Sequence, residues 1–200
     1  MEQSKIKKIV VIGPESTGKS TLCEQLAQHF NAQWCSEFAR EYLLTNGTDY
    51  TFEDLETIAK GQLAMEDNAL SMVNSQWSMV EENRFVNSYS LLAIPHPPLL
   101  FIDTDMYVMK VWCEYVFGKC HNFILDEIVK RRYDLYLLCN IDLPWTYDPL
   151  REYPDEKPRQ ELYKIYKDIL INQKVPWVEI SGGYEERLEK AMEAVTGIYK

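Results

Sequence analysis

The densest chemistry in this chain lies in Gly13-Pro14-Glu15-Ser16-Thr17-Gly18-Lys19-Ser20-Thr21. The segment fits G-x-x-x-x-G-K-[S/T] in full. It directly follows the apolar run Ile9-Val10-Val11-Ile12 and directly precedes a helical pattern from Ser20 to Phe30. Glycines in such a loop let backbone N–H groups turn inward around phosphates at a helix N-terminus. Gly13, Glu15, Ser16, Thr17, Gly18, Lys19, Ser20 and Thr21 are therefore candidate nucleotide-binding residues. Lys19 would add a mobile positive charge on the β- and γ-phosphates, and the Ser20 hydroxyl would ligate Mg2+. ATP and Mg2+ are the cofactors expected.

Asp103 closes a second apolar run, Leu99-Leu100-Phe101-Ile102, where P-loop proteins place the acid that holds Mg2+ through water. Asp105 follows two residues later, and either acid suits the metal or a substrate hydroxyl. Glu37, Arg40 and Glu41 lie just beyond a short strand, Gln33-Trp34-Cys35. At the C-terminal ends of parallel strands, polar residues face the ligand crevice. Glu37 is thus a candidate to take a proton from an attacking hydroxyl or to bind a ribose diol, with Arg40 beside it. A solvated helix start is the plain alternative. Arg151 and Arg159 belong to a Pro-rich stretch expected to form a lid at about 141–158, where arginines neutralise charge on a transferring phosphoryl group. A solvated charged loop would read the same. Trp34, Tyr107, Trp112, Trp145 and Tyr147 suit stacking on a planar ligand but serve equally as core. His29, His96 and His121 fall in no metal spacing or triad.

Positioning these groups requires a scaffold, and the rest of the chain supplies one. Apolar runs at Ile9–Ile12, Leu99–Asp103, Leu135–Cys139 and Trp177–Ile180 read as strands of a parallel sheet buried on both faces. Helical patterns separate them at Met106–Tyr115, Phe123–Lys130, from near Pro158, and at Glu185–Val195. Thr51, with Asp54 three residues on, resembles a capping box opening a helix to about Val73. The expectation is an α/β P-loop NTPase fold: one domain over 1–200, with a five-stranded parallel sheet flanked by helices and a lid. Tyr184, after the fifth strand, is expected near the adenine. Residues 75–98 lack a clean period, end in Pro95-His96-Pro97-Pro98, and read as an irregular excursion.

Composition narrows the partners. Hydrophobic residues at 46% and charged residues at 26% are ordinary globular values. The net charge of −10, from 31 acids and 21 bases, argues against passive nucleic-acid binding. The 5 cysteines are odd in number and form no C-x-x-C pair, so small buried hydrophobes in a reducing cytoplasm are expected. The start, Met1 to Lys8, is polar and shows no secretory leader, and no apolar run approaches a membrane span. A GTPase would carry N-K-x-D where this chain reads Asn140-Ile141-Asp142, and a large AAA-type motor would need more chain. A compact kinase acting on a small molecule suits the size. A nucleotide-binding regulatory module without turnover is the alternative from a different class.

From Lys8 to Val195 the chain resembles the ribosylnicotinamide kinase domain of NadR-type NAD-biosynthesis proteins. The carriers are Gly13–Ser20, Glu37-Phe-Ala-Arg40-Glu41-Tyr, Phe101-Ile-Asp103-Thr-Asp105, Asp148-Pro-Leu-Arg151 and Val175–Ser181, with Tyr184 and Arg187. The resemblance implies ATP-dependent phosphorylation of the 5′-hydroxyl of nicotinamide riboside, giving nicotinamide mononucleotide. Other nucleoside or nucleoside-monophosphate kinases share most of these features. Where the family pattern has an aromatic before the Glu of Glu-x-x-Arg-Glu, this chain has Ser36. The same resemblance favours Glu37 over Asp105 as the ribose acid.

Overall fold

Four apolar runs and the short segment Gln33–Cys35 become five parallel strands in the computed structural model, which describes residues 6–86 and 98–199. In chain order the elements are β1 (Lys7–Ile12), α1 (Lys19–Phe30), β2 (Gln33–Cys35), α2 (Phe38–Asn46), α3 (Phe52–Val86) and β3 (Leu99–Asp103). Then come α4 (Met106–Phe117), α5 (Asn122–Lys130), β4 (Leu135–Cys139), α6 (Glu156–Asn172), β5 (Trp177–Ile180) and α7 (Tyr184–Gly197). The strand order is β2-β3-β1-β4-β5. Val11 pairs with Asp103 and Ile12 with Leu138, so the loop leaving β1 emerges beside the end of β3.

Successive residues of a strand point to opposite faces, and β1 shows why its run is apolar throughout. Ile9 and Val11 pack with Leu22 and Leu26 of α1 and with Ala191 and Val195 of α7. Val10 and Ile12 pack on the other face with Val108 and Val111 of α4 and Leu162, Tyr166 and Leu170 of α6. A third cluster joins Ala39 of α2, Leu55, Ile58 and Leu63 of α3, and Met106 and Met109 of α4. It braces the β2–α2 side of the sheet, where the acceptor residues will be found. Cys23, Cys35, Cys113 and Cys139 are buried thiols, and no cysteine among the described residues is in a disulfide. No described helix is long and apolar enough to cross a membrane.

The capping box at the start of α3 forms as read: Asp54 accepts from the Thr51 backbone N–H at 2.7 Å, and the Thr51 hydroxyl accepts from the Asp54 N–H at 3.3 Å. Two expectations need correction. The helix does not stop near Val73 but runs to Val86, so the first part of the 75–98 stretch is helical rather than irregular. Residues 74–76, 78 and 79 are exposed, so this part of the helix faces solvent and needs no apolar stripe to announce it. The rest of that stretch, 87–97, lies outside the described residues. The lid loop ends earlier than expected, because α6 begins at Glu156 and takes Pro158 and Arg159 into its first turn. Proline is tolerated there because first-turn N–H groups have no intrahelical partner.

Candidate active site

At the carboxyl ends of β1, β2 and β3 lies a cavity of about 340 Å3. Its walls are the loop from Gly13 to Thr21, then Trp34, Ser36, Glu37 and Arg40, then Asp103, then Trp112 and Tyr115 of α4, and Leu150 to Tyr153 of the lid. The loop is shaped for phosphate. Gly13 has φ 146°, and a Cβ built there would lie 2.7 Å from the Cys139 carbonyl oxygen, so only glycine fits. The Thr17 hydroxyl donates to the Pro14 carbonyl at 2.8 Å, closing the loop on itself. Lys19 donates to the same carbonyl at 2.9 Å, which holds its ammonium group over the loop.

Asp103 is fully buried, and neither of its carboxylate oxygens has a hydrogen-bond partner. Burial, reinforced by the nearby Glu37 carboxylate, pushes it up to about 6, against the opposing pull of Lys19 and of the Ser20 hydroxyl, which lies near without a hydrogen bond of normal geometry. A buried, unpartnered carboxylate is costly unless something fills its coordination. A divalent cation would do so, and the oxygens of Ser20 and Asp103 are donors of the kind that would hold Mg2+.

Glu37 stands at the N-cap of α2 yet its side chain makes no capping bond. Gln62 of α3, itself buried, does that work instead. Its Oε1 accepts from the Phe38 N–H at 2.7 Å, while its Nε2 donates to the Ser36 carbonyl at 3.2 Å and the Asp103 carbonyl at 3.3 Å. One amide therefore ties the Glu37 segment to the Asp103 segment. Gly61 lets this happen: a Cβ there would lie 2.1 Å from the Phe38 ring. A glycine inside a helix costs roughly 1 kcal/mol relative to alanine, and close approach of Phe38 is what it permits. Neither Gln62 nor Gly61 was singled out from sequence. A glycine interrupting a helical pattern was the available signal.

The lid is pinned across both halves of the cavity. Ser16 accepts from the Thr146 N–H at 2.9 Å and from Arg151 at 3.3 Å. Arg151 also donates to the Thr146 carbonyl. Glu15, pushed above the usual carboxylate range by burial, accepts from the Glu152 and Tyr153 backbone N–H groups at 3.0 and 3.1 Å. On the far side Arg40 pairs with Asp148 at 2.9 Å, and Tyr50 donates to Glu152 at 3.0 Å. Trp112 donates to the Tyr50 hydroxyl at 2.8 Å, linking the aromatic wall to the lid.

Three expected residues do not line this cavity. Asp105 is not at the cavity: it caps α4, accepting from the Tyr107 and Val108 N–H groups at 3.0 and 3.3 Å, and takes the Tyr136 hydroxyl at 2.8 Å. It borders a separate cavity with Tyr107, Arg131 and Tyr133. Arg159 is buried against the back of the loop, donating to the carbonyls of Ser16 and Leu143 at 3.4 Å, and does not line the cavity. Tyr184 is exposed and stands beside Gly18, its ring 3.6 Å from a Cβ built there, outside the cavity wall. Arg187, by contrast, is buried and braces the loop from behind, donating to the carbonyls of Thr17 at 3.0 Å and Asn140 at 2.9 Å and pairing with Asp142.

The family model described as AAA domain matches residues 8–187. The chain belongs to that family. The likeness to NadR-type proteins is also borne out. The chain is 26% identical over 195 residues to the "Trifunctional NAD biosynthesis/regulator protein NadR" of Escherichia coli (strain K12), covering 95% of this chain and 42% of that protein. The Salmonella typhimurium protein of the same name gives the same identity and coverage. The AAA domain thus spans less than half the length of these curated relatives. A crystal structure of NadR protein in complex with NR matches with TM-score 0.68 at 25% identity, over 96% of this chain and 49% of the other. Thymidylate kinase from Ehrlichia chaffeensis matches with TM-score 0.59 at 14% identity, over 96% of this chain and 98% of that one, a likeness of fold alone.

Proposed function

We propose that this chain is an ATP-dependent nucleoside kinase that transfers the γ-phosphoryl group to the 5′-hydroxyl of nicotinamide riboside. The observation that carries the reading is one cavity with two ends: a phosphate-binding loop with Lys19, and an acid-bearing, aromatic-walled recess, with orphaned Asp103 between them. The likeness to NadR, one of whose structures holds NR, supports nicotinamide riboside as the acceptor. A NAD-salvage role in the cytoplasm belongs to the same proposal.

Backbone N–H groups of residues 15–20 and the Lys19 ammonium hold the β- and γ-phosphates, supplying position and charge stabilisation. Mg2+, held by Ser20 and Asp103, neutralises phosphate charge when bound. Trp112, Tyr115 and Tyr153 offer apolar faces to a planar base. Glu37 orients the acceptor hydroxyl and takes its proton as that oxygen bonds to the γ-phosphorus and the bond to the β–γ bridging oxygen breaks. ADP leaves with that bridging oxygen. Arg151, already on the lid beside Ser16, neutralises charge on the transferring group, and Arg40 supports the acceptor side. Tyr184 borders the nucleotide base from the outer edge of the loop. The test is ADP release with a panel of nucleosides: release strongest with nicotinamide riboside is expected. ATP binding with no acceptor-dependent release across the panel would instead mark a regulatory module.

A further inference from the structure

We propose that Thr104 is a positioning residue for the acceptor reaction, its hydroxyl aiming the Glu37 carboxylate; the inference rests on the reading of Glu37 above. Thr104 is buried between Asp103 and Asp105, and its φ is 79°. Left-handed backbone is unusual for any residue with a side chain and strongly disfavoured for a β-branched one. Glycine or asparagine would occupy it at lower cost. Such strain persists where the surroundings fix it, and it concentrates at functional sites.

Here the strained turn has two visible consequences. It sends the neighbouring acids apart, Asp103 to the cavity and Asp105 to the start of α4. It also turns the Thr104 hydroxyl toward Glu37, to which it donates at 3.3 Å. That is the one hydrogen bond of the Thr104 hydroxyl among the described residues, and the one side-chain bond of Glu37. The separation is long for an O–H···O bond, as catalytic contacts often are before substrate tightens a site. The Glu37 segment is already anchored by Gln62 through backbone atoms, so what Thr104 adds is the orientation of the carboxylate itself. A free glutamate rotates about three bonds; one donor on Oε1 restricts it and leaves Oε2 free to accept a proton.

The test compares Thr104→Gly, Thr104→Val and Thr104→Ser in the full chain, alone and combined with Glu37→Gln. Glycine removes the hydroxyl while relieving the strained backbone, so its melting temperature should equal or exceed wild type. Its nucleoside-dependent kcat should nevertheless fall roughly ten- to hundredfold with Mg·ATP affinity unchanged, valine behaving alike and serine near wild type. In the Glu37→Gln background, Thr104→Gly should cost nothing further. Wild-type turnover in Thr104→Gly, losses that multiply in the double variant, or a matching loss of Mg·ATP affinity would each overturn the inference. Full turnover in Glu37→Gln alone would instead overturn the assignment of Glu37, and this inference with it.

Discussion

Among the helices that begin with an acid, α2 and α4 use it differently. Asp105 spends its carboxylate on the first N–H groups of α4 and on Tyr136, and does not line the cavity. Glu37 occupies the same position on α2 but caps nothing, because Gln62 reaches in from α3 and accepts the Phe38 N–H in its place. The difference teaches that at this site the carboxylate is left free by a substitute cap that lies far away in sequence. Capping is worth about 1 kcal/mol, so an unreplaced cap would have drawn Glu37 inward.

The largest effect is expected at the phosphate end, on which transfer to any acceptor depends. Lys19→Ala is expected to keep the fold and lose several orders of magnitude in turnover with every acceptor. Steady-state ADP release with a circular dichroism control measures this, and unchanged turnover would make the loop decorative. Next in size is Gln62→Leu. It leaves the Phe38 N–H and the Ser36 and Asp103 carbonyls without their partner, so stability should fall by about 2–4 kcal/mol in a urea titration. Turnover should fall further than Mg·ATP affinity, since the acceptor side is what it anchors; equal losses would mean Gln62 is merely structural. Gly61→Ala drives a methyl into the Phe38 ring and should cost about 1–3 kcal/mol with a smaller loss of turnover. Smallest of all is Asp105→Asn, which keeps a good cap and should leave nucleoside phosphorylation at the wild-type rate. A large loss there would return Asp105 to the reaction.

What was legible in the sequence was what is local. The loop from Gly13 to Ser20 is one contiguous segment between a strand and a helix, so spacing alone reveals it. The buried strands announce themselves because both faces of β1, β3 and β4 need apolar residues. The acceptor end is different, since it is assembled from residues 36–38, Gln62, Asp103, Thr104 and the lid. Asp103 and Asp105 look equivalent in sequence, and only the left-handed backbone of Thr104 parts them. Arg159 looks like a lid arginine because its neighbours are polar, yet the first turn of α6 carries it behind the loop. Burial of a polar side chain is a tertiary fact, and no period in the sequence encodes it.

The most direct test of the central claim is a paired measurement on Glu37→Gln: Mg·ATP affinity by titration calorimetry, and formation of the nucleoside 5′-monophosphate from nicotinamide riboside. The amide keeps the shape and the Thr104 contact but cannot take a proton, so product formation should drop roughly a hundredfold or more while Mg·ATP affinity stays at the wild-type value. Product formation at the wild-type rate, or a loss of Mg·ATP binding equal to the loss of turnover, would contradict the account.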